Sequence, residues 1–320
     1  SYFGKFYGAA KAKFTLELPT VYPISTSVYF TLNRWDYFRN FATFFEEVRP
    51  SFLVQNEMYL GLSIDNPLGN TMTSKIDARM FELTDTYYQT DKFTNKDTAD
   101  ITEFNGYTGS WSIMQNTLNR KQFANSGHYV EFSARYVYGR EHSVPGSTAL
   151  TEELYKFHSW MNLKLEYQSF VIDNSVFHLG LHGQVVYNTR PLFGNYTATI
   201  LSMNEFTLVP DAQSYFLPEY RAPQFAGGGL NLIFTVKKKI DIRLDAYLYQ
   251  PFIQINVLTD GSQVFSPYFQ GRTWMASSSI VYNSFIGPAR LTLNYFPEQE
   301  QPLALQFSLG FVIFNDRAVR

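Results

Sequence analysis

The sequence predicts an all-β protein, a transmembrane antiparallel β-barrel, on three observations. Apolar and polar residues alternate with period two in segment after segment. No uninterrupted apolar run approaches the ~20 residues a membrane helix needs. The composition is 45% hydrophobic and 18% aromatic but only 17% charged, and the hydrophobic residues are dispersed. A period of two sends successive side chains to opposite faces of a strand. A long series of such segments therefore describes a sheet with one apolar face, suited to lipid, and one polar face, suited to a lumen.

The last quarter, residues 218–314, reads most plainly. Leu303, Leu305, Phe307, Leu309, Phe311 and Ile313 form one apolar row, and Ala289, Leu291, Leu293 and Tyr295 another, opposite Arg290, Thr292 and Asn294. Ile240, Ile242, Leu244, Ala246 and Leu248 alternate with Asp241, Arg243, Asp245, Tyr247 and Tyr249. Leu230, Leu232, Phe234 and Val236 precede them, in a strand expected to start at Gly227. The lysines at 237–239 fall between two alternating segments and read as a turn at a membrane border; a nucleic-acid groove would need a broader basic surface.

From the start of the chain, Ala10, Ala12, Phe14, Leu16 and Leu18 alternate with Lys11, Lys13, Thr15 and Glu17, and a Pro19 to Pro23 turn leads into the row Ile24, Thr26, Val28, Phe30 and Leu32. After an aromatic-rich bridge, Phe52 to Ile64 makes a third strand, closed by turn chemistry at Asp65 to Gly69. A fourth runs over about 71–85. Residues 86–108, rich in Thr, Asp and Asn, read as a surface loop, with a shorter strand expected near Ser110 to Asn119. Val130 to Tyr138, Met161 to Tyr167 and Phe177 to Val185 complete the first part.

Connections alternate between short and long, the loop asymmetry of an outer-membrane barrel. Residues 190–226 break the rhythm, and a stretch that long inside a regular barrel predicts a loop with a job, folded into the lumen. The count is about thirteen strands, eight before this loop and five after. Single-chain bacterial barrels have even numbers, so merged, missed or absent strands are expected.

Five strands after a long loop, with Gly287-Pro-Ala-Arg290 opening the second from the end, resemble the C-terminal part of the BamA and TamA superfamily, the bacterial surface antigen family. Its loop carries a motif arginine that enters the lumen and meets an acidic residue of a nearby strand. The resemblance puts that arginine at Arg221, in Tyr220-Arg-Ala-Pro-Gln-Phe225, and its partner at Asp245; Ala222, Pro223 and Tyr247 depart from the family pattern. Gly287, Pro288 and Arg290 match the strand motif. The strings Asn33-Arg-Trp-Asp-Tyr37, Arg49-Pro-Ser-Phe-Leu53, Asn116 to Gln122 and Val144-Pro-Gly146 look like the barrel of patatin-like phospholipases. The resemblance implies sixteen strands, a bacterial outer-membrane location, and a barrel over 1–320 that anchors and helps export an upstream hydrolase domain. Implied partners are the bilayer, lipopolysaccharide, the protein's own upstream domain and other envelope proteins. The two competing functions are an assembly or insertase barrel and a passive pore.

No catalytic role is expected in this chain. It has no Gly-x-Ser-x-Gly elbow, and Asp260 stands between strands with no serine to serve. Glu46 with Glu47, and Glu152 with Glu153, fall in or beside loops and read as solvated acids. There is no cysteine, which removes disulfides and thiolate metal sites. His178 and His182 lie four apart on one strand, hence ~13 Å apart, too far to share an ion, and His158 precedes them; all three read as lumenal polar residues, with no metal and no cofactor. Trp35, Tyr37 and Phe38, with Phe41, Phe44 and Phe45, are expected to form an interfacial aromatic girdle. The chain opens on Ser1-Tyr-Phe-Gly-Lys5 without a charged-then-apolar leader, which predicts that a leader has been removed or that more of the protein lies upstream.

Overall fold

The computed structural model describes the chain apart from residues 1, 4–6, 19–22, 38–52, 90–92, 95, 150–151, 210–211, 238, 259–261, 286, 300 and 312–314. The strands are β1 (Tyr2–Phe3), β2 (Tyr7–Leu18), β3 (Ile24–Tyr37), β4 (Leu53–Leu68), β5 (Met72–Tyr87), β6 (Asp100–Asn116), β7 (His128–Val144), β8 (Leu154–Asp173) and β9 (Phe177–Asn188). A long connection holding α1 (Tyr196–Ser202) and two single-turn 3-10 segments, Ala212–Ser214 and Pro218–Tyr220, leads to β10 (Gln224–Lys237) and β11 (Ile240–Ile253). A hairpin of β12 (Ile255–Val257) and β13 (Gln263–Phe265) intervenes before β14 (Thr273–Ser284), β15 (Gly287–Tyr295) and β16 (Leu303–Leu309). Among the described residues, fourteen strands make one antiparallel sheet in chain order, β12 and β13 standing apart. Beside the two-residue β1, eight strands precede the long connection and five follow it, as the alternation predicted.

Parity explains the two faces. On β3, Tyr29, Thr31, Asn33, Trp35 and Tyr37 are buried while Val28, Phe30 and Leu32 are exposed. On β11, Asp241, Arg243 and Asp245 are buried and Ile242, Leu244 and Leu248 exposed. The polar face is thus the inner one. Phe14 is 73% exposed and Leu305 70%, so the outer face needs an apolar surround. One connecting segment touches strands near both ends of the sheet: Phe216 packs on Tyr37 of β3 at 5.7 Å, and Tyr215 donates to Gln306 of β16 at 2.8 Å. A sheet whose two ends meet one central segment is curled around it, as a barrel around its lumen.

Several expectations are corrected. The loop predicted over 86–108 gives way at Asp100 to β6. Its outer row, Ile101, Glu103, Asn105 and Tyr107, mixes polar and apolar residues, so neither face is uniformly apolar and the period is hidden. β10 starts at Gln224, ahead of Gly227. The final strand, expected to reach 314, ends at Leu309. Gly310 lies in the left-handed region at φ 89° and packs against Gly287, at φ 125°, where an added Cβ would meet Gly310 Cα at 2.9 Å. Beyond this glycine contact, Asn315 onward lies in the lumen.

The expected girdle is also corrected. Trp35 and Tyr37 are 2% and 1% exposed and face the lumen, since both share the parity of Tyr29 and Asn33, opposite the apolar row. Phe38, Phe41, Phe44, Phe45, Glu46 and Glu47 lie outside the described residues, as do most of the Pro19 turn, Asp260 and Ile313.

The connections β4–β5, β8–β9, β10–β11 and β14–β15 are short and cluster at one end. The longer ones over 88–99, 145–153, 189–223 and 254–272 lie at the other. The β6–β7 connection, 117–127, is the long exception at the short-turn end.

Candidate functional site

The lumenal connection 189–223 is held by its own backbone first. Asn195, in extended conformation, caps α1 by accepting from Thr197 N at 2.7 Å, the ordinary role of Asn before a helix. Thr199 and Ser202 return their hydroxyls to the carbonyls of Asn195 and Ala198, so these two buried hydroxyls are satisfied. Its two limbs then pair. Phe206 N donates to Tyr220 O at 2.9 Å and Ala222 N to Asn204 O at 3.2 Å, forming a bridge between Glu205 and Arg221.

That bridge sets the central contact. Arg221, buried, donates to Glu205 Oε2 at 2.6 Å and to the Leu201 carbonyl at 3.0 Å, and its guanidinium lies 5.3 Å from the Phe216 ring. It therefore satisfies a carbonyl that the C-terminal turn of α1 leaves free. Arg320 reaches the same carboxylate at 3.0 Å and donates to the Leu201 carbonyl. Burial alone would raise the Glu205 carboxyl; the guanidinium groups of Arg221 and Arg320 outweigh it and hold it below the ordinary carboxylate range.

Arg221 does not meet Asp245. Asp245 accepts from Asn231 at 2.5 Å and from Ser277 at 3.3 Å, a contact within the wall formed by β10, β11 and β14. Arg221 has its acid sixteen residues earlier on its own loop, because backbone pairing of the two limbs fixes Glu205 beside it. The Arg221–Glu205 pair is thus internal to the loop, joined by Arg320 from the C-terminal segment, and surrounding residues supply packing: Phe206 on Tyr249 at 5.2 Å, Tyr220 on Phe296 at 6.2 Å, and the Arg190 guanidinium 4.4 Å from the Trp160 ring.

The segment Asn315 to Arg320 ties this plug to the first strands. Asn315 donates to Tyr7 and Asn33, Ala318 N to Glu57 at 2.9 Å, and the Arg317 guanidinium stacks 3.5 Å from the Trp35 ring. Arg135 of β7 donates to the Arg317 carbonyl at 2.8 Å. Trp35 and Tyr37, expected at a lipid interface, serve here as stacking partners for Arg317 and Arg221. Of the strand-motif residues, Gly287 faces Gly310, Pro288 O accepts from Gly310 N at 2.8 Å, and Arg290 points inward, 4.7 Å from the Phe123 ring.

The histidines are paired individually: His158 with Glu141 at 2.6 Å, His178 with Asp173 at 2.8 Å and His182 with Glu166 at 3.4 Å. Among the described residues, no cluster of three metal-ligating side chains occurs. Glu153 pairs with His142 at 3.1 Å. A cavity of about 300 Å³ opens at the long-loop end between Tyr196, Glu219, Arg221, Arg272, Thr273 and Glu298. Sequence reasoning missed Glu205, Arg190, Arg317 and Arg320. The one available signal was the charged run Asp316-Arg317 after an apolar strand, which a lipid-facing continuation could not bury.

The sequence matches no protein-family model and no curated protein. Among solved structures the chain is similar to BamA from Haemophilus ducreyi lacking POTRA domains 1–3, with a TM-score of 0.60 at 10% identity. The match covers 94% of this chain and 61% of that one, so the chain spans about three fifths of its neighbour's length. At this identity the likeness is one of fold: nearly the whole chain follows a BamA-type barrel.

Proposed function

We propose that the chain is an outer-membrane barrel domain that anchors, and helps export, a domain lying upstream of it. The observation that carries this reading is a sheet apolar outside and polar inside, whose lumen is filled by the 189–223 segment held on Glu205 and Arg221. A filled lumen supports an anchor over a passive pore. The strings that resemble patatin-like phospholipases point to a hydrolase as the anchored domain, with lipid and lipopolysaccharide as the surrounding partners. In this reading the chain's own contribution is mechanical: it holds the upstream domain at the membrane.

A second reading, an assembly or insertase barrel, is favoured by one observation. β16 stands at one end of the described sheet, and an edge strand can pair with another chain. Expression of the intact gene tests both. An anchor is expected to co-fractionate with its upstream domain in the outer membrane, to migrate as a heat-modifiable band and to give no steady conductance in planar bilayers. A client strand trapped by crosslinking at β16 would move the assignment to assembly. Extraction as a monomer into plain buffer would overturn both.

A further inference from the structure

We infer that the lumen carries a second closure, the β6–β7 connection 117–127, which crosses the bore at the short-turn end, opposite the mouth filled by the long connection. Its base is an ordinary hairpin, with Thr117 N donating to His128 O at 2.8 Å and Asn119 N to Ser126 O at 3.2 Å. Its tip contacts the far wall. Arg120 meets Asp241 of β11 at 2.5 Å, and Arg243 of β11 donates to the Ala124 carbonyl at 2.9 Å. Asn125 lies 3.3 Å from His178 of β9, and the Phe123 ring is 4.7 Å from the guanidinium of Arg290 on β15.

In sheet order β11 stands four strands beyond β7, and β15 six beyond. With neighbouring strands ~4.8 Å apart, the path along the wall would be roughly 19 Å and 29 Å. Direct contacts at those strands mean that the tip spans the opening itself. The far wall is also built to receive it. Asp241 is fully buried and takes Thr235 and Asn283 as well as Arg120, so the turn supplies one of three donors to an otherwise costly buried acid. Phe123 holds φ 54°, a left-handed conformation that an aromatic residue rarely adopts, and its ring lies near both Arg243 and Arg290. Two closures from opposite ends keep the bore sealed to ions and small solutes while either one moves.

The inference rests on the barrel reading but not on a membrane address, and the two fail separately in the test. The chain has no cysteine, so Ser133→Cys, on the lumenal face of β7, gives a single label site. In detergent, its reaction with a charged water-soluble maleimide is compared with that of a form in which Thr117 joins His128 through Asn-Gly. Thr94→Cys, in an exposed loop, serves as the control. Heat-modifiable migration reads the barrel; if no form shows it, the barrel reading fails. If only the shortened form loses it, the Arg120→Ala, Arg243→Ala pair replaces the shortening. Within the folded band, labelling at position 133 is expected to be at least ten-fold faster once the turn is shortened or unpinned, with position 94 unchanged. Equal rates at 133 in native and altered turns, whether both fast or both slow, would overturn the second closure.

Discussion

Glu205 is the residue on which the plug turns, because two guanidinium groups share it. Arg221 and Arg320 both end on its carboxylate, and both also reach the Leu201 carbonyl. Glu205→Gln removes the charge and leaves two buried cations facing each other. Breaking a buried pair in this way costs about 3–5 kcal/mol. Trypsin is then expected to cut within 189–223 at neutral pH, while the barrel stays heat-modifiable. Asp245→Asn, whose described hydrogen bonds go to Asn231 and Ser277 in the wall, is expected to leave the loop resistant; cleavage equal to that of Glu205→Gln would restore Asp245 to the lock. The pH dependence has a defined sign. A carboxyl whose folded pKa is depressed stabilises the fold above its unfolded value, about 4.3 for Glu, and this stabilisation is lost as pH falls through the lower folded value. Loop cleavage by pepsin, normalised at each pH to cleavage of the unfolded chain, should therefore rise as pH falls below the ordinary carboxylate range, and this rise should be smaller in Glu205→Gln.

At the scale of elements, β10 is shaped to admit the plug. A Cβ at Gly227 would meet the Phe206 ring at 2.4 Å and the Leu248 carbonyl at 2.8 Å, so the missing side chain makes the seat for Phe206. Gly227→Val is expected to displace the loop and raise its proteolysis. Phe206→Ala in the same chain should recover part of that loss, because it clears the ring but not the carbonyl. A double-mutant cycle measures this coupling, and additivity would deny the contact. β6 and β16 teach a different lesson. β6 was hidden because Glu103 and Asn105 interrupt its outward row. The end of β16 was overextended because Phe311 and Ile313 keep the parity of Leu309 in the sequence, whereas the ladder with β15 stops at Leu309.

The molecule as a whole is an apolar-coated sheet wrapped around a polar, filled lumen, and its stability depends on which solvent each face meets. Leu244 is on the outer face at mid-strand of β11. Leu244→Arg should cost about 2–4 kcal/mol, the value for a cation facing lipid near the midplane of a barrel. A folding titration into lipid vesicles would measure it. A shift below about 1 kcal/mol would place Leu244 near an interface instead.

The sequence by itself determined the fold class, the inward and outward faces, and the position of the long connection, because a period of two records the solvent on each side of a strand wherever one side is uniformly apolar. It also singled out Arg221. It could not determine the partner of Arg221, since Glu205 and Asp245 are both plausible acids until the loop's two limbs pair and bring one of them to 2.6 Å. Nor could it decide the roles of Trp35, of Arg317 and Arg320, or of the turn at Phe123. Lumenal contacts join residues on opposite walls, and which walls face each other is fixed only once the sheet has curled.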